Sequence, residues 1–352
     1  MPSSGRSVSR RRVLQGGAAF AGALALGRPG PAAEPEAPER PTLVVLWLNG
    51  GPAGLFNSAD SFLAGGAFGV RSDNVRSLGN GLFVDAASFG ALPAPALAHM
   101  ASINFRHGIV RPHDHARAAV LEDGPRSQLL RLAALMAPAA PRCAVVNDLG
   151  LPVGVAVNPP AEGGAGLERV RDVADEARRL GSRHAEEIRG AYGVEPGRTS
   201  VSDQRSTFAA VEMLVHAGTS VIFAQPAYTG RADRQFDTHG DETGVAAREI
   251  MAPITPSLAT FLGRVLALPG RNVVTVLTGE FSRTIPQSDH EPGGTATVIG
   301  KYVRTGTAGP QRADGAPPEQ APPPAGLWAY AAAALRVTGS PFGANPNPEL
   351  TL

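Results

Sequence analysis

The chain has 352 residues, of which 43% are hydrophobic and 18% are charged, so it is long and apolar enough to bury a large core. Its 32 basic and 31 acidic residues give a formal net charge of +1, and without a basic cluster there is no reason to expect a nucleic-acid partner. The single cysteine, Cys143, excludes a disulfide within the chain and a zinc site built from several cysteines.

The first 33 residues have the character of an export signal. They contain five arginines and no acidic residue, and residues 9–15 read Ser-Arg-Arg-Arg-Val-Leu-Gln. This segment resembles the consensus of twin-arginine signals, with Val13 where phenylalanine is usual. The uncharged run at 16–27 is too short and too rich in glycine and alanine to span a bilayer as a stable helix. We therefore expect the twin-arginine machinery to export the chain to the periplasm or the extracellular space.

The exported part of the chain differs in charge from the whole. Loss of the five leader arginines from 32 basic residues leaves 27 against 31 acidic ones, a net charge of −4. Residues 31–33 read Pro-Ala-Ala, which is a partial cleavage site, so a cleaved signal and an uncleaved anchor both remain open. A proline-rich linker at 34–41 follows. We expect 42–352 to form a single domain with no transmembrane span.

Apolar runs and helical stretches alternate along 42–352. Strands are predicted at 42–48, 105–110, 143–146, 219–224 and 272–278, and helices at 127–136, 167–189, 203–216, 257–267 and 327–337, with a long loop at 304–326. The first of these strands is apolar on both faces, which is typical of a central parallel strand. The alternation predicts an α/β fold, a doubly wound and mostly parallel sheet flanked by helices.

Polar segments follow two of the predicted strands, at the edge where ligands bind in such sheets. Carboxylates and imidazoles brought together there are a ligand set for a divalent metal ion, with imidazole favouring zinc and carboxylates favouring manganese, magnesium or calcium. A purely structural polar network is the alternative. The segments contain, in chain order, Asp237 and His239, Glu280 and Arg283, and Asp289 and His290.

The order of these motifs resembles the secreted family labelled domain of unknown function 1501. Its members have a twin-arginine signal, a first strand ending in Gly-Gly, and Asp-Thr-His, Glu-Phe-Gly-Arg-Thr and Asp-His-Gly segments. The corresponding segments here are 50–51, 237–239, 280–284 and 289–290. That family is grouped with alkaline phosphatases, sulfatases and cofactor-independent phosphoglycerate mutases. The resemblance thus implies an alkaline-phosphatase-like sheet with a two-metal cleft.

The resemblance also implies roles for individual residues. Asp237, His239 and His290 would bind one metal ion. Glu280 would stand near the second ion, and Asp289 would join either set. Arg283 would contact a phosphate or sulfate oxygen, or would instead hold Glu280 or Asp289 in place.

Two departures from the superfamily pattern concern the second metal ion and the nucleophile. Asn49 ends the first strand where the superfamily has a metal-binding aspartate, and a neutral amide oxygen is the weaker ligand. The segment at 107–116 contains no hydroxyl or thiol, so the expected nucleophile is water or a carboxylate such as Asp114. His115 matches the histidine of the family in this segment. From the residues alone, His113 and His115 are compatible with metal ligands, with a general acid/base pair or with hydrogen-bonding loop residues.

Two functions remain open at this point. The first is an exported metal-dependent hydrolase of a phosphate ester, a sulfate ester or another anionic substrate. The second is a non-catalytic secreted or envelope-associated binding protein that retains the fold. Asn49 and the missing nucleophile favour the binding protein. The hydrolase is favoured by the retention of four polar residues, Asp237, His239, Glu280 and His290.

Overall fold

The computed structural model describes residues 39–137, 142–147, 167–170, 173–226 and 235–352. The predicted signal at 1–33 and most of the predicted linker at 34–41 lie outside the described residues. The first strand begins at Arg40, so the last two residues of the predicted linker belong to the sheet. Glu39–Leu352 forms one compact unit.

The described residues contain fourteen strands and nine α-helices. The strands are β1 (Arg40–Trp47), β2 (Val75–Gly79), β3 (Leu82–Asp85), β4 (Met100–Arg106), β5 (Glu122–Asp123), β6 (Arg126–Ser127), β7 (Cys143–Val146), β8 (Leu167–Val170), β9 (Val221–Ala224), β10 (Arg271–Thr278), β11 (Ser282–Thr284), β12 (Asp289–Glu291), β13 (Gly293–Gly300) and β14 (Gly306–Thr307). The helices are Ala94–Leu97, His113–Leu121, Gln128–Ala134, Val173–Leu180, Ser182–Ala191, Gln204–Ala217, Val245–Met251, Ile254–Val265 and Pro324–Ala334.

Eight of the strands form one mixed sheet in the order β14-β4-β13-β10-β1-β9-β7-β8. β1 lies between β10 and β9 and pairs with both in parallel. β13 is antiparallel to β10 and β4 and is the only strand of these eight that runs against the others. The predicted α/β fold with a mostly parallel sheet is therefore confirmed.

Helices cover both faces of this sheet. On one face Val44 and Leu46 of β1 belong to an apolar cluster with Phe208 and Phe261, from the helices Gln204–Ala217 and Ile254–Val265. On the other face Trp47 belongs to a second cluster, which includes residues of the helices His113–Leu121, Gln128–Ala134 and Pro324–Ala334. Because successive side chains of a strand point to opposite faces, a strand buried on both sides must be apolar throughout. This accounts for the continuous apolar run of β1.

Three sequence predictions differ from the structure. In place of the strand predicted at 105–110, β4 spans Met100–Arg106, and residues 107–110 follow it without regular structure. The single helix predicted at 167–189 is strand β8 followed by two helices, Val173–Leu180 and Ser182–Ala191, with Gly181 at φ +79° between them. β8 extends the sheet by pairing in parallel with β7, a tertiary interaction that local helix propensity does not report. The predicted loop at 304–326 contains β14 and the start of the last helix at Pro324. No helix in the described ranges is long and apolar enough to cross a membrane.

Candidate functional site

The chain leaves the carboxyl ends of β1 and β10 at one edge of the sheet, and there the polar segments meet. The backbone N–H of Gly50, after β1, donates to Oε1 of Glu280, after β10, at 2.8 Å. Gly50 has φ +98°, and a Cβ at this position would lie 2.3 Å from the backbone nitrogen of Asp237. Only glycine accommodates both the left-handed conformation and this close approach. Gly50 therefore brings the Asp237 segment against the end of β1.

Three histidines surround Asp237. Its Oδ1 lies 3.1 Å from Nε2 of His239 and 3.4 Å from Nε2 of His290. Its Oδ2 lies 3.5 Å from Nε2 of His113. The Nε2 atoms of His239 and His290 are themselves 3.1 Å apart. Three imidazole nitrogens of the same type thus point towards one carboxylate.

Hydrogen bonds on the far side of two of these rings determine which nitrogen carries the proton. Nδ1 of His113 lies 2.8 Å from Oε1 of Glu280, and Nδ1 of His290 lies 3.3 Å from the carbonyl oxygen of Val110. Both oxygens can only accept, so both Nδ1 atoms are the donors. When these rings are neutral, as a metal ion requires, Nε2 is the nitrogen with the lone pair and it faces Asp237, which is the arrangement that metal-binding histidines use.

Nε2 of His239 also faces Asp237, but the side chain of His239 is more exposed than those of His113 and His290. Its Nδ1 lies 3.6 Å from Oδ1 of Asp289, beyond the reach of a normal hydrogen bond. Burial and the nearby Arg283 guanidinium lower the pKa of His239, which favours the neutral imidazole that a metal ion requires. Burial would raise the pKa of Asp237, but the hydrogen bond and the positive charge of the Arg283 guanidinium hold it well below its usual value. Asp237 is therefore a carboxylate at neutral pH.

This donor set fits a divalent metal ion. Two ligands of a tetrahedral zinc ion, each about 2.0–2.1 Å from the metal, lie about 3.3 Å from one another, and the three distances among Asp237, His239 and His290 are close to this value. Glu280 is fully buried, and its Oε2 has no partner among the described residues. A buried carboxylate oxygen without a partner is costly, and a nearby cation offsets that cost. The predominance of imidazole favours zinc over manganese, magnesium or calcium.

Arg283 is fully buried beside this cluster, and all its N–H groups face acceptors. Its acceptors are the carbonyl oxygens of Gly50, Gly51 (3.0 Å) and Ser288 (3.1 Å), Oδ1 of Asp237 (2.6 Å) and Nε2 of His239 (3.5 Å). A guanidinium has five N–H donors, so none is left for a substrate anion. The resemblance implies that Arg283 either contacts a phosphate or sulfate oxygen or holds Glu280 or Asp289 in place. These contacts favour the second role, but the carboxylate that Arg283 holds is that of Asp237.

Asn49 lies at the end of β1, as the sequence predicts, but its amide oxygen faces other donors. Oδ1 accepts from a guanidinium nitrogen of Arg117 at 2.6 Å and from Nε1 of Trp47 at 3.4 Å. The carbonyl oxygen of Asn49 accepts from the backbone N–H of Phe236 at 2.8 Å. Asn49 therefore ties β1 to the Asp237 segment, and its amide oxygen is committed to these two donors.

His113 and His115 have different surroundings in the structure. His113 is the first residue of its helix and reaches Glu280 and Asp237, whereas Asp114 and His115 are exposed. Within the described part of the chain, neither Asp114 nor His115 makes a hydrogen bond or an ion pair with the cluster. Successive positions of a helix are rotated by about 100° around its axis, so neighbours at a helix start face different directions. The resemblance favours His115 over His113, because the His-Asp-His spacing does not tell which histidine faces inward.

Two further residues that sequence reasoning left aside support the cluster. His107 donates from Nε2 to the carbonyl oxygen of Glu280 at 2.7 Å, while its Nδ1 accepts from the backbone N–H of Ile109 at 3.1 Å. Burial lowers the pKa of His107, in agreement with a neutral ring. The ring of Phe281 stacks on that of His290, with centroids 4.3 Å apart and planes 8° from parallel. These contacts orient Glu280 and His290.

Comparison with known proteins gives a distant likeness in structure alone. No protein-family model matches the chain, and no curated protein matches it in sequence. One of the solved structures that match is a phosphonate monoester hydrolase from Silicibacter pomeroyi, with 10% sequence identity and a TM-score of 0.36, over 89% of this chain and 76% of that chain. A likeness of this size does not bear on function.

Proposed function

We propose that this chain is an exported metal-dependent hydrolase acting on phosphate or sulfate esters or related anionic esters, as its resemblance to the domain of unknown function 1501 family and the alkaline phosphatase superfamily suggests. The observation that carries the proposal is the convergence of three imidazole Nε2 atoms on Asp237. Asp237, His113, His239 and His290 would hold the ion. When bound, a divalent ion supplies Lewis-acid polarisation of the ester and activation of water.

Glu280 and Arg283 orient two of these ligands, His113 and Asp237. Glu280 accepts a hydrogen bond from Nδ1–H of His113 and so turns Nε2 of that ring towards Asp237. Arg283 fixes the rotamer of Asp237 and keeps it ionised. In the described ranges no serine, threonine or cysteine side chain hydrogen-bonds to His113, Asp237, His239, His290 or Glu280. The proposed nucleophile is therefore water rather than a side-chain hydroxyl.

A non-catalytic binding protein is the second candidate. The commitment of Asn49 to Arg117 and Trp47 supports it, because the end of β1 then offers no free ligand to a metal ion. The exposed position of Asp114 and His115 supports it as well, since neither contacts the cluster. A protein of this kind would retain the fold and bind an anion or a metal ion without turnover.

Metal content separates the two candidates. The protein is purified after native export, dialysed against metal-free buffer and analysed by mass spectrometry for zinc, manganese, calcium and magnesium, beside the double variant Asp237→Ala/His239→Ala. We expect bound zinc in the unmutated protein and no bound metal in the variant. Less than about a tenth of an equivalent in the unmutated protein overturns the hydrolase proposal. If metal is present, aryl phosphates, aryl sulfates and aryl phosphonates are tested for hydrolysis.

Export by the twin-arginine pathway is part of the proposal and rests on the sequence of the leader. That pathway carries folded proteins, which suits a chain that acquires a metal ion before it crosses the membrane. Replacing Arg10 and Arg11 by lysine should retain the chain in the cytoplasmic fraction, whereas replacing Arg6 by lysine should not. Unchanged export of the double variant would contradict this part of the proposal.

A further inference from the structure

Two overlapping groups of side chains could each hold a metal ion. One consists of His113, Asp237 and His290, and the other consists of His239, Asp289 and His290. Two separate groups would suit the two-metal cleft that the resemblance implies. The groups are not separate, however, because both need His290.

His290 has one nitrogen available for a metal ion. Its Nδ1 faces the carbonyl oxygen of Val110 at 3.3 Å, so Nδ1 carries the proton and its lone pair is absent. Nε2 is 3.1 Å from Nε2 of His239 and 3.4 Å from Oδ1 of Asp237. A single imidazole lone pair binds a single ion, so when one group is occupied the other lacks a ligand.

The positions on either side of the cluster already hold positive charge. The Arg283 guanidinium lies 2.6 Å from Oδ1 of Asp237, and the Arg117 guanidinium lies 2.6 Å from Oδ1 of Asn49. Arg283 is fully buried and Arg117 is nearly so, which keeps both charges weakly screened by solvent. A second divalent ion bound at Asn49 would meet strong repulsion from the Arg117 guanidinium, whereas the Asp237 carboxylate that contacts Arg283 offsets the repulsion between Arg283 and the first ion.

The charges around the site also favour one ion. The carboxylates of Asp237, Glu280 and Asp289 supply three negative charges, and the guanidinium groups of Arg283 and Arg117 supply two positive ones, while the exposed Arg111 lies 3.9 Å from Asp289. With one divalent ion the buried groups carry about one excess positive charge, and a second ion would raise that excess to about three, which partial burial disfavours.

We infer that this centre takes one divalent ion per chain, shared by both histidine groups, in place of the two ions that the resemblance implies. The inference rests on the proposed metal-dependent function but concerns the number of ions rather than the reaction. It also assigns His113 and His239 to the same ion.

The test counts ions without measuring activity. The full exported chain is freed of metal with a chelator and titrated with Co²⁺, whose visible absorption reports its coordination, and with Zn²⁺ followed by gel filtration and mass spectrometry. The variants are His113→Gln and His239→Gln, one from each histidine group. His184→Gln is the matched control, because His184 lies on the distant helix Ser182–Ala191.

We expect the titration of the unmutated protein to break at one equivalent. Each of the two cluster variants should weaken that same ion by about tenfold or more, and His184→Gln should not. Two tight equivalents, with each cluster variant losing one of them, would overturn the inference and leave the proposed function intact. A protein that binds no ion would overturn both. A single ion whose affinity is unchanged in either cluster variant would also overturn the inference.

Discussion

Nδ1 of His113 lies 2.8 Å from Oε1 of Glu280, although the two residues are 167 positions apart in the chain. Glu280 is fully buried at the end of β10, and His113 is the first residue of a helix on one face of the sheet. The bond fixes the tautomer of His113 and directs its Nε2 at Asp237. This carboxylate and histidine pair connects the sheet to the candidate metal centre.

Glu280→Gln tests the pair directly. The glutamine keeps the shape of the side chain but lacks the negative charge, so we expect the affinity for zinc to fall by about 10-fold to 100-fold while the fold is retained. Competition with a chromogenic chelator measures the affinity, and circular dichroism checks the fold. Glu249→Gln is the control, because Glu249 is exposed on a surface helix. Equal affinity in the two variants would argue against the role of Glu280.

His113→Gln and His115→Gln distinguish the residue that the structure favours from the one that the resemblance favours. Only His113 contacts Asp237 and Glu280, so we expect His113→Gln to lower the metal affinity about tenfold or more and His115→Gln to leave it within about twofold. Isothermal titration calorimetry with zinc measures both. The opposite order would restore the role that the resemblance implies for His115.

Arg283→Met should destabilise the fold. The guanidinium bonds three backbone carbonyl oxygens and Asp237, and all of them lose a donor in this variant. A buried carbonyl oxygen that loses its partner costs about 1–3 kcal/mol, whereas the ion pair adds less because the Asp237 side chain is 42% exposed, so the free energy of unfolding in urea should fall by about 3 kcal/mol. Arg283→Lys should recover part of this loss, since its ammonium keeps the charge but has three donors instead of five.

The control for Arg283 is Arg312→Met. Arg312 forms its ion pair with Asp314 at the surface, where such pairs contribute about 1 kcal/mol or less. We therefore expect a change in the free energy of unfolding below that value. A change for Arg283→Met as small as that for Arg312→Met would show that the buried network adds little to stability.

A second buried carboxylate, far from the candidate site, predicts how stability depends on pH. Glu212 is fully buried, and it accepts from Tyr192 Oη at 2.6 Å and from Arg264 Nε at 2.7 Å. Burial would raise the pKa of Glu212, but hydrogen bonds from His216, Tyr192 and Arg264 bring it below the ordinary value of 4.5. A lowered pKa in the folded state stabilises the fold above the unfolded pKa, and this stabilisation is lost as the pH falls through the folded pKa.

Glu212→Gln removes this contribution. At pH 7 we expect a loss of about 3–5 kcal/mol in the free energy of unfolding, because Arg264 loses its charged partner. Between pH 7 and values below 4.5 the variant should lose less stability than the unmutated protein. Urea unfolding at a series of pH values measures both effects.

Glu187→Gln is the control, because Glu187 lies on the exposed side of a neighbouring helix, and it should change the free energy of unfolding by no more than about 0.5 kcal/mol. Parallel pH profiles for the unmutated and Glu212→Gln proteins would contradict the prediction.

Much of the fold is predictable from local patterns. The apolar runs of β1, β9 and β10 predict parallel strands buried on both faces, and the structure confirms them as neighbours. The strand at 167–170 is not predictable in this way, because its charged residues resemble those of the helices that follow. Its extended conformation depends on backbone pairing with β7, which lies about twenty residues earlier in the chain.

The sequence by itself determined the chemistry available to this protein: histidines and carboxylates directly after strands of an α/β sheet, one cysteine, and an arginine-rich leader. Only the tertiary structure decided which of these groups meet. It placed His113 rather than His115 beside Asp237, surrounded Arg283 with acceptors, and directed the amide oxygen of Asn49 to Arg117. The physical reason is that these contacts join loops far apart in the chain. Which side chain turns inward there depends on the rotation of a helix start and on hydrogen bonds across the sheet edge, and local sequence records neither.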